Sequence, residues 1–247
     1  MTYIYNTPIN FNIPQLSFRS TQTVPLQSPS RKDSFTTNPL LEGLNSATEI
    51  ENLARNNPKI KSILDRYNLP IKANIQELNN LQKGHLKDTR IIVAKMYSAL
   101  PIDLKNEVNL QQIQEAAMLH DYGKVLIPQK VLNKQEKLTD FEREIIEQHS
   151  EIGYELLKNK NIDEETLNLI KYHHQNLSGN GYPELENNYK CGISNEILSI
   201  ADKYSALTED RAYKPALTRE AALKIIKEDV EKGVFSEEIY NTLEKVV

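Results

Sequence analysis

The feature that most constrains the fold is the helical spacing of apolar residues through most of the chain. From about Leu41 onward, Leu, Ile and Ala recur at intervals of three and four residues, and Asn-Pro, Leu-Pro and Gly-containing breaks separate the segments. Thr139 and Glu142 form a Thr-x-x-Glu start signal, and Thr218 can cap the segment that follows it. No alternation of period two is sustained beyond a few residues. The pattern therefore predicts an all-α bundle.

Residues 1–42 differ in composition from the rest of the chain. Five of the eleven prolines lie there among Asn, Thr, Ser and Gln, and alanine is absent. Such a segment buries too little apolar surface to offset the entropy of ordering. We therefore expect a disordered tail at 1–42, a helical extension at 43–84 and the main domain at 85–247.

Charge and cysteine content exclude several classes of protein. The net charge is -4 without a long basic run, which argues against duplex nucleic acid as a partner. No stretch reaches the roughly 18 to 20 apolar residues of a membrane helix. Cys191 is the only cysteine, so an internal disulfide is excluded, and the first residues do not resemble a secretion leader. We expect a soluble protein of the reducing cytoplasm.

Four of the five histidines fall at positions where helical geometry can be used to predict which way they face. His120 and Asp121 end an apolar stripe that includes Ile113 and Ala117. His149 shares a helical face with Phe141, Ile145, Ile152 and Leu156. His174 follows Leu167 and Ile170 on the buried side of its segment, whereas His173 is expected about 100 degrees away, towards the flank. Four histidines are thus directed at a core.

Each of these residues has an ordinary explanation when it is taken alone. A single inward histidine is more often a hydrogen-bonded core residue, Asp202 could be a surface carboxylate, and His85 could cap a helix or face solvent. Several buried imidazoles and a carboxylate in one core are stabilised most simply by a cation. Two ions about 3.5 to 4 Å apart would suit phosphoryl transfer. The residues together therefore indicate a metal site and phosphodiester hydrolysis.

Four segments resemble the HD-GYP family of cyclic di-GMP phosphodiesterases. They are HDYGKVLIPQKVLNKQEKLT at 120–139, EQHSEIGYELL at 147–157, HHQNLSGNGYP at 173–183 and ISNEILSIADKYSALTEDRAYKPALTREAAL at 193–223. The likeness runs from about His85 to the C-terminus, in register. It implies an all-α HD-type helical bundle with a C-terminal GYP-containing extension, with 85–247 as the catalytic domain.

The resemblance also implies roles for individual residues. The implied metal ligands are His85, His120, Asp121 as a bridge, His149, His173, His174 and Asp202. Lys124 and Asp121 would be catalytic. Gly181, Tyr182, Pro183, Arg211 and Lys214 would contact the substrate. The mixture of imidazole and carboxylate without thiolate suits two divalent ions, iron or manganese.

The chain also departs from the family pattern. Leu81 stands where some relatives carry a glutamate that holds a third metal, so two ions are expected. Gln175, Asn176, Leu177 and Ser178 replace residues that are usually acidic, basic or tryptophan, and Ser205 replaces an aspartate.

Three hypotheses therefore stay open. The first is a phosphodiesterase that converts cyclic di-GMP to pGpG or GMP. The second is a catalytically weakened module that binds metal or a dinucleotide and signals through a partner such as a diguanylate cyclase, or through self-association. The third is an HD phosphohydrolase that acts on another nucleotide.

Overall fold

The computed structural model describes residues 44, 46–210 and 215–247, and within them the chain is built from helices. In chain order the helices are α1 (Ala47–Asn56), α2 (Pro58–Arg66), α3 (Ile75–Lys83), α4 (His85–Ala99), α5 (Ile102–Asn106), α6 (Leu110–Leu119), a short 3-10 helix (Tyr122–Leu126), α7 (Gln129–Leu132), α8 (Asp140–Leu157), α9 (Glu164–Tyr172), α10 (Ile193–Thr208), α11 (Arg219–Glu231) and α12 (Glu237–Val246). No strand occurs in this part of the chain, where an isolated bridge pairs His174 with Tyr182. The predicted all-α class is confirmed. The expected tail at 1–42 lies outside the described residues.

The helix starts follow the capping signals of the sequence. The Thr139 side chain accepts a hydrogen bond from the Glu142 amide, and the Glu142 carboxylate accepts one from the Thr139 amide at the start of α8. Thr218 caps α11 through the amide of Ala221. These bonds fix where both helices begin, as predicted.

One hydrophobic core joins the helices. Helix α4 packs against α6, α10 and α12, and α8 packs against the 3-10 helix and α9. The extension predicted at 43–84 contributes to the same core through Leu44, Ile50, Ile60 and Leu64, all of which are fully buried. Burial of such apolar side chains is the main favourable term in folding.

One helical-face prediction was wrong. Phe141 was expected to share the buried face of α8 with His149, but its side chain is exposed and touches the ring of Tyr67 at a centroid distance of 5.7 Å. The reason is its place in the first turn of α8, where residues 140–144 are all exposed or only partly buried. Ile145 and Ile152 are buried as expected.

Among the described residues, no helix combines the length and the apolar character that crossing a membrane requires.

Candidate metal centre

Seven polar residues from separate elements meet at one place in the core. Their positions follow from the helix ends: His85 begins α4, His120 and Asp121 lie between α6 and the 3-10 helix, His149 lies within α8, His173 and His174 follow α9, and Asp202 lies within α10. Six of the seven are buried, and His174 is half-buried. All seven residues proposed from sequence as metal ligands are thus brought together.

A first group of three consists of His85, His120 and Asp202. One possible ligand atom from each lies within 4.8 Å of the others. Asp202 Oδ1 is 2.7 Å from His85 Nε2 and 3.4 Å from His120 Nε2. Asp202, considered as a possible surface carboxylate, is in fact buried and faces two imidazoles.

A second group consists of His149, His173 and His174, again with ligand atoms within 4.8 Å of one another. The Nε2 atoms of His149 and His173 are 3.2 Å apart. The rings of His173 and His174 lie 4.0 Å apart, centroid to centroid. Three nitrogen donors therefore converge without a carboxylate inside the group.

Asp121 lies between the two groups. Its Oδ1 is 3.4 Å from His149 Nε2, whereas its Oδ2 is 3.6 Å from His120 Nε2 and 3.7 Å from His85 Nε2. The two oxygens of one carboxylate thus face different groups. Asp121 could therefore serve as a ligand shared between the groups, and it also forms a candidate group with His120 and His173.

The hydrogen bonds of three histidines leave one ring nitrogen available. In each, Nδ1 lies against the carbonyl oxygen three residues earlier: Ala117 for His120 (3.1 Å), Ile146 for His149 (2.6 Å) and Ile170 for His173 (2.7 Å). A carbonyl oxygen only accepts, so Nδ1 carries the proton and Nε2 keeps its lone pair. Each of these Nε2 atoms lies within 3.6 Å of a carboxylate oxygen of Asp121 or Asp202 or of another Nε2.

The surroundings of His120 Nε2 indicate whether the site fits a cation. This atom is buried and has no hydrogen-bond partner among the described residues. A buried nitrogen lone pair without a partner is costly, and a divalent cation is the group that would satisfy it. The donor set of imidazoles and carboxylates suits such an ion.

The pKa directions describe a site with ionised carboxylates and mostly neutral imidazoles. Burial lowers the pKa of His149 to about 3 and that of His174 to about 4. Burial opposes ionisation of Asp121, but the charge of Lys124 and the surrounding imidazoles hold its pKa well below the usual range. Both states are those that bind cations.

Lys124 lies next to the site and contacts Asp121. Its Nζ donates to Asp121 Oδ2 over 2.6 Å, and its side chain keeps 18% of its surface exposed. Lys124 also lines a cavity of about 620 Å³, together with Leu81, Asn133 and others. The Lys124 side chain therefore contacts both the buried Asp121 carboxylate and the adjacent cavity.

The predicted orientation of His173 was wrong, whereas the His174 ring faces the site as expected, although part of the residue stays exposed. His173, expected on the flank, is fully buried, and His174, expected on the buried side, is half-buried. Helix α9 ends at Tyr172, so His174 lies past the helix, where it bridges to Tyr182. Helical angles no longer apply beyond that end.

The Gly-Tyr-Pro segment covers this edge of the site. The Tyr182 ring lies 4.6 Å from the His174 ring and 6.3 Å from the His149 ring. A side chain at Gly181 would collide with the backbone of His174 and would lie 2.6 Å from Gln175 Cα. Close approach, rather than an unusual backbone angle, is therefore what requires glycine there. Arg211 and Lys214 lie outside the described residues.

Gln175 holds this segment in place. Its Nε2 donates to Pro183 O (2.7 Å), and its Oε1 accepts from Gly181 N (3.2 Å). The buried amide thus spans both sides of Tyr182. This departure from the family pattern has a structural role in the chain.

Lys171 links elements around the site, and its role was not predicted from the sequence. Its buried ammonium donates to Glu186 (2.8 Å), lies 3.4 Å from Glu151 and stands over the rings of Tyr154 and Tyr172. It thereby joins α8, α9 and the loop after Pro183. The available signal was its position two residues before the paired histidines, as Glu151 is two residues after His149.

Comparisons with known proteins identify the family to which the chain belongs. A model of the HD domain family matches residues 70–238. The chain is similar to the cyclic di-GMP phosphodiesterase response regulator RpfG of Xanthomonas campestris pv. campestris, with 39% identity over 48% of this chain and 32% of that protein. It is also similar to a cyclic di-GMP phosphodiesterase of Thermotoga maritima, with 34% identity over 57% of this chain and 39% of that protein. The 3'3'-cGAMP-specific phosphodiesterase 2 of Vibrio cholerae is 35% identical over 46% of this chain and 22% of that protein.

A solved structure shares the fold. Bd1817, an HD-GYP-type protein from Bdellovibrio bacteriovorus, superposes with a TM-score of 0.55 at 16% identity, over 84% of this chain and 66% of that one. The chain spans between 22% and 39% of the length of the curated relatives named above. With the matched family model covering more than half of the sequence, the chain belongs to the HD domain family, as a member of its HD-GYP group.

Proposed function

We propose that the chain is a metal-dependent phosphodiesterase that hydrolyses cyclic di-GMP to pGpG or GMP. The observation that carries the proposal is the pair of three-residue groups on either side of Asp121, whose two oxygens face different groups. Two adjacent cations that share a carboxylate are the arrangement that phosphodiester hydrolysis uses. The names of two relatives include cyclic di-GMP phosphodiesterase activity, which supports the choice of substrate.

The residues present would hold two divalent ions. His85, His120 and Asp202 would hold one, His149, His173 and His174 the other, and Asp121 would bridge them. Iron and manganese are the metals that this oxygen and nitrogen donor set favours. When bound, such ions polarise a phosphoryl oxygen and lower the pKa of water.

Lys124 and the Gly-Tyr-Pro segment would act on the substrate. The Lys124 ammonium, exposed to the adjacent cavity, can bind a phosphate oxygen and stabilise its developing charge. Tyr182 offers a ring next to His174 on which a base could stack. Gly181 and Pro183 would shape that wall, and Arg211 and Lys214 would supply further phosphate or base contacts.

The test is metal-dependent turnover by purified protein prepared without air. Metal content is measured first, and cyclic di-GMP is then offered with added Fe(II) or Mn(II) while linear products are separated by chromatography. We expect turnover that Asp121→Asn lowers by at least about 100-fold, whereas the exposed Asp103→Asn control stays at the parent rate. Full metal occupancy without turnover of cyclic di-GMP would overturn the proposed activity.

Two alternatives are resolved by the same assay. Three of the relatives are 3'3'-cGAMP-specific phosphodiesterases, so 3'3'-cGAMP is offered in parallel, and turnover of that compound alone would reassign the substrate. Binding of cyclic di-GMP without turnover would favour a signalling module. A diguanylate cyclase partner, self-association and a cytoplasmic location stay predictions.

A further inference from the structure

We infer that Ser205 is a positioning residue that sets which ring nitrogen of His85 faces the candidate metal centre. The inference rests on the proposed function, because it concerns how one of the proposed ligands is oriented. In the family pattern, an aspartate usually occupies the position of Ser205. Its contacts give it a role of its own.

His85 lacks the hydrogen bond to a preceding carbonyl that orients three of the other histidines. His120, His149 and His173 each place Nδ1 on the carbonyl of the residue three positions earlier. His85 is the first residue of α4, and Gly84 before it has φ -112 and ψ -100, so the chain does not continue as a helix there. The preceding backbone therefore does not present the same helical carbonyl, and another group must occupy Nδ1.

Ser205 of α10 supplies that group. Its Oγ lies 3.0 Å from His85 Nδ1, and the residue is 2% exposed. Asp202, three residues earlier and one turn away on the same helix, lies 2.7 Å from the other ring nitrogen, Nε2. Helix α10 thus holds both sides of one imidazole.

The donor and acceptor capacity of the Ser205 hydroxyl explains how it positions His85. A serine hydroxyl can both donate and accept, so Ser205 Oγ can bond Nδ1 in either tautomer of His85. It donates to Nδ1 when Nε2 carries the proton and donates to Asp202 over 2.7 Å, and it accepts from Nδ1 when Nε2 is deprotonated and free to bind a cation. In both cases Nε2, and not Nδ1, faces Asp202 and the centre. An outer partner of this kind normally raises the affinity of a histidine for its metal.

Calorimetric titration of the metal-free full chain with Mn(II) tests the inference. For Ser205→Ala we expect one of two binding equivalents to weaken by about 10- to 100-fold while the other is unchanged. Ser205→Asp restores an acceptor for Nδ1 and should bind both equivalents at least as tightly as the parent. Thr208→Val removes a hydroxyl that bonds Tyr204 O on the same helix, and should leave both equivalents unchanged.

Nuclear magnetic resonance of the imidazole nitrogens provides a readout that does not depend on metal. In the metal-free protein, Ser205→Ala should shift the His85 Nδ1 resonance and leave those of His120, His149 and His173 in place. If the parent binds no Mn(II), the proposed function fails, and this spectrum still decides the role of Ser205. Unchanged Mn(II) affinity in Ser205→Ala, equal weakening in Ser205→Asp, or an unmoved His85 resonance would each overturn the inference.

Discussion

Gly123 offers a sharp test of how the fold positions the candidate centre. This glycine lies in the 3-10 helix, between Asp121 and Lys124 on one side and α8 on the other. A methyl group built there would lie 2.6 Å from Gly153 N and 2.8 Å from His149 C, and still closer to the carbonyl oxygen of His149. The neighbouring atoms are backbone, which cannot rotate out of the way.

The size of the effect follows from these distances. Ordinary contact begins at 3.4 Å, so Gly123→Ala requires the two backbones to part by at least about 0.8 Å (3.4 minus 2.6). Overpacking of this kind costs about 3 kcal/mol or more. At about 2 to 4 °C per kcal/mol for a chain of this size, the melting temperature should fall by about 6 to 12 °C.

The same displacement should weaken metal binding. Ligand distances tolerate changes of only about 0.2 Å, and a separation of about 0.8 Å moves Asp121 relative to His149 by more than that. We expect at least one Mn(II) equivalent to be lost. Differential scanning calorimetry and Mn(II) titration measure the two effects.

Gly153→Ala is the matched control because it adds the same methyl group from the opposite side of the contact. Its nearest neighbour would be Gly123 N at 3.3 Å, and alanine favours a helix by about 1 kcal/mol over glycine. The control should therefore melt within a few degrees of the parent. A Gly123→Ala protein with the parent's melting temperature and Mn(II) affinity would refute the packing argument.

Two further predictions concern stability. Tyr122→Phe removes the hydroxyl that donates to Leu44 O over 2.6 Å in the core, so urea unfolding should show a loss of about 1 to 2 kcal/mol; no loss would mean that this bond does not hold the residue to the bundle. The hydrogen bond from Lys134 and that from the Thr139 amide lower the pKa of Glu142 to about 2, below its unfolded value of about 4.3. The contribution of Glu142 is therefore complete above about pH 5 and is lost as pH falls towards 2, so the melting temperatures of the parent and Glu142→Gln should differ at pH 7 and converge near pH 2.

Local signals in the sequence were sufficient to predict the helices. The Thr139 capping box, the cap at Thr218 and the spacing around Ile113 and Ile152 act within a turn or two of the chain. Such short-range effects can be read from neighbouring residues alone. The set of seven proposed ligands came from the family resemblance, and inward helical faces supported only some of its members.

The orientation of each side chain depended on contacts between distant segments. Helical angles failed for His173 because α9 ends just before it, and for Phe141 because the first turn of α8 is exposed. The link between Lys171 and Glu186 also depends on how the later loop returns to α9.

The sequence by itself determined an all-α chain with five histidines and two aspartates suited to a shared site. Only the tertiary structure decided that Asp121 lies between two groups of ligands and that Ser205 occupies the free nitrogen of His85. The physical reason is that helix formation is governed by neighbours along the chain, whereas distances between α4, α8 and α10 are set by packing of their side chains in one core.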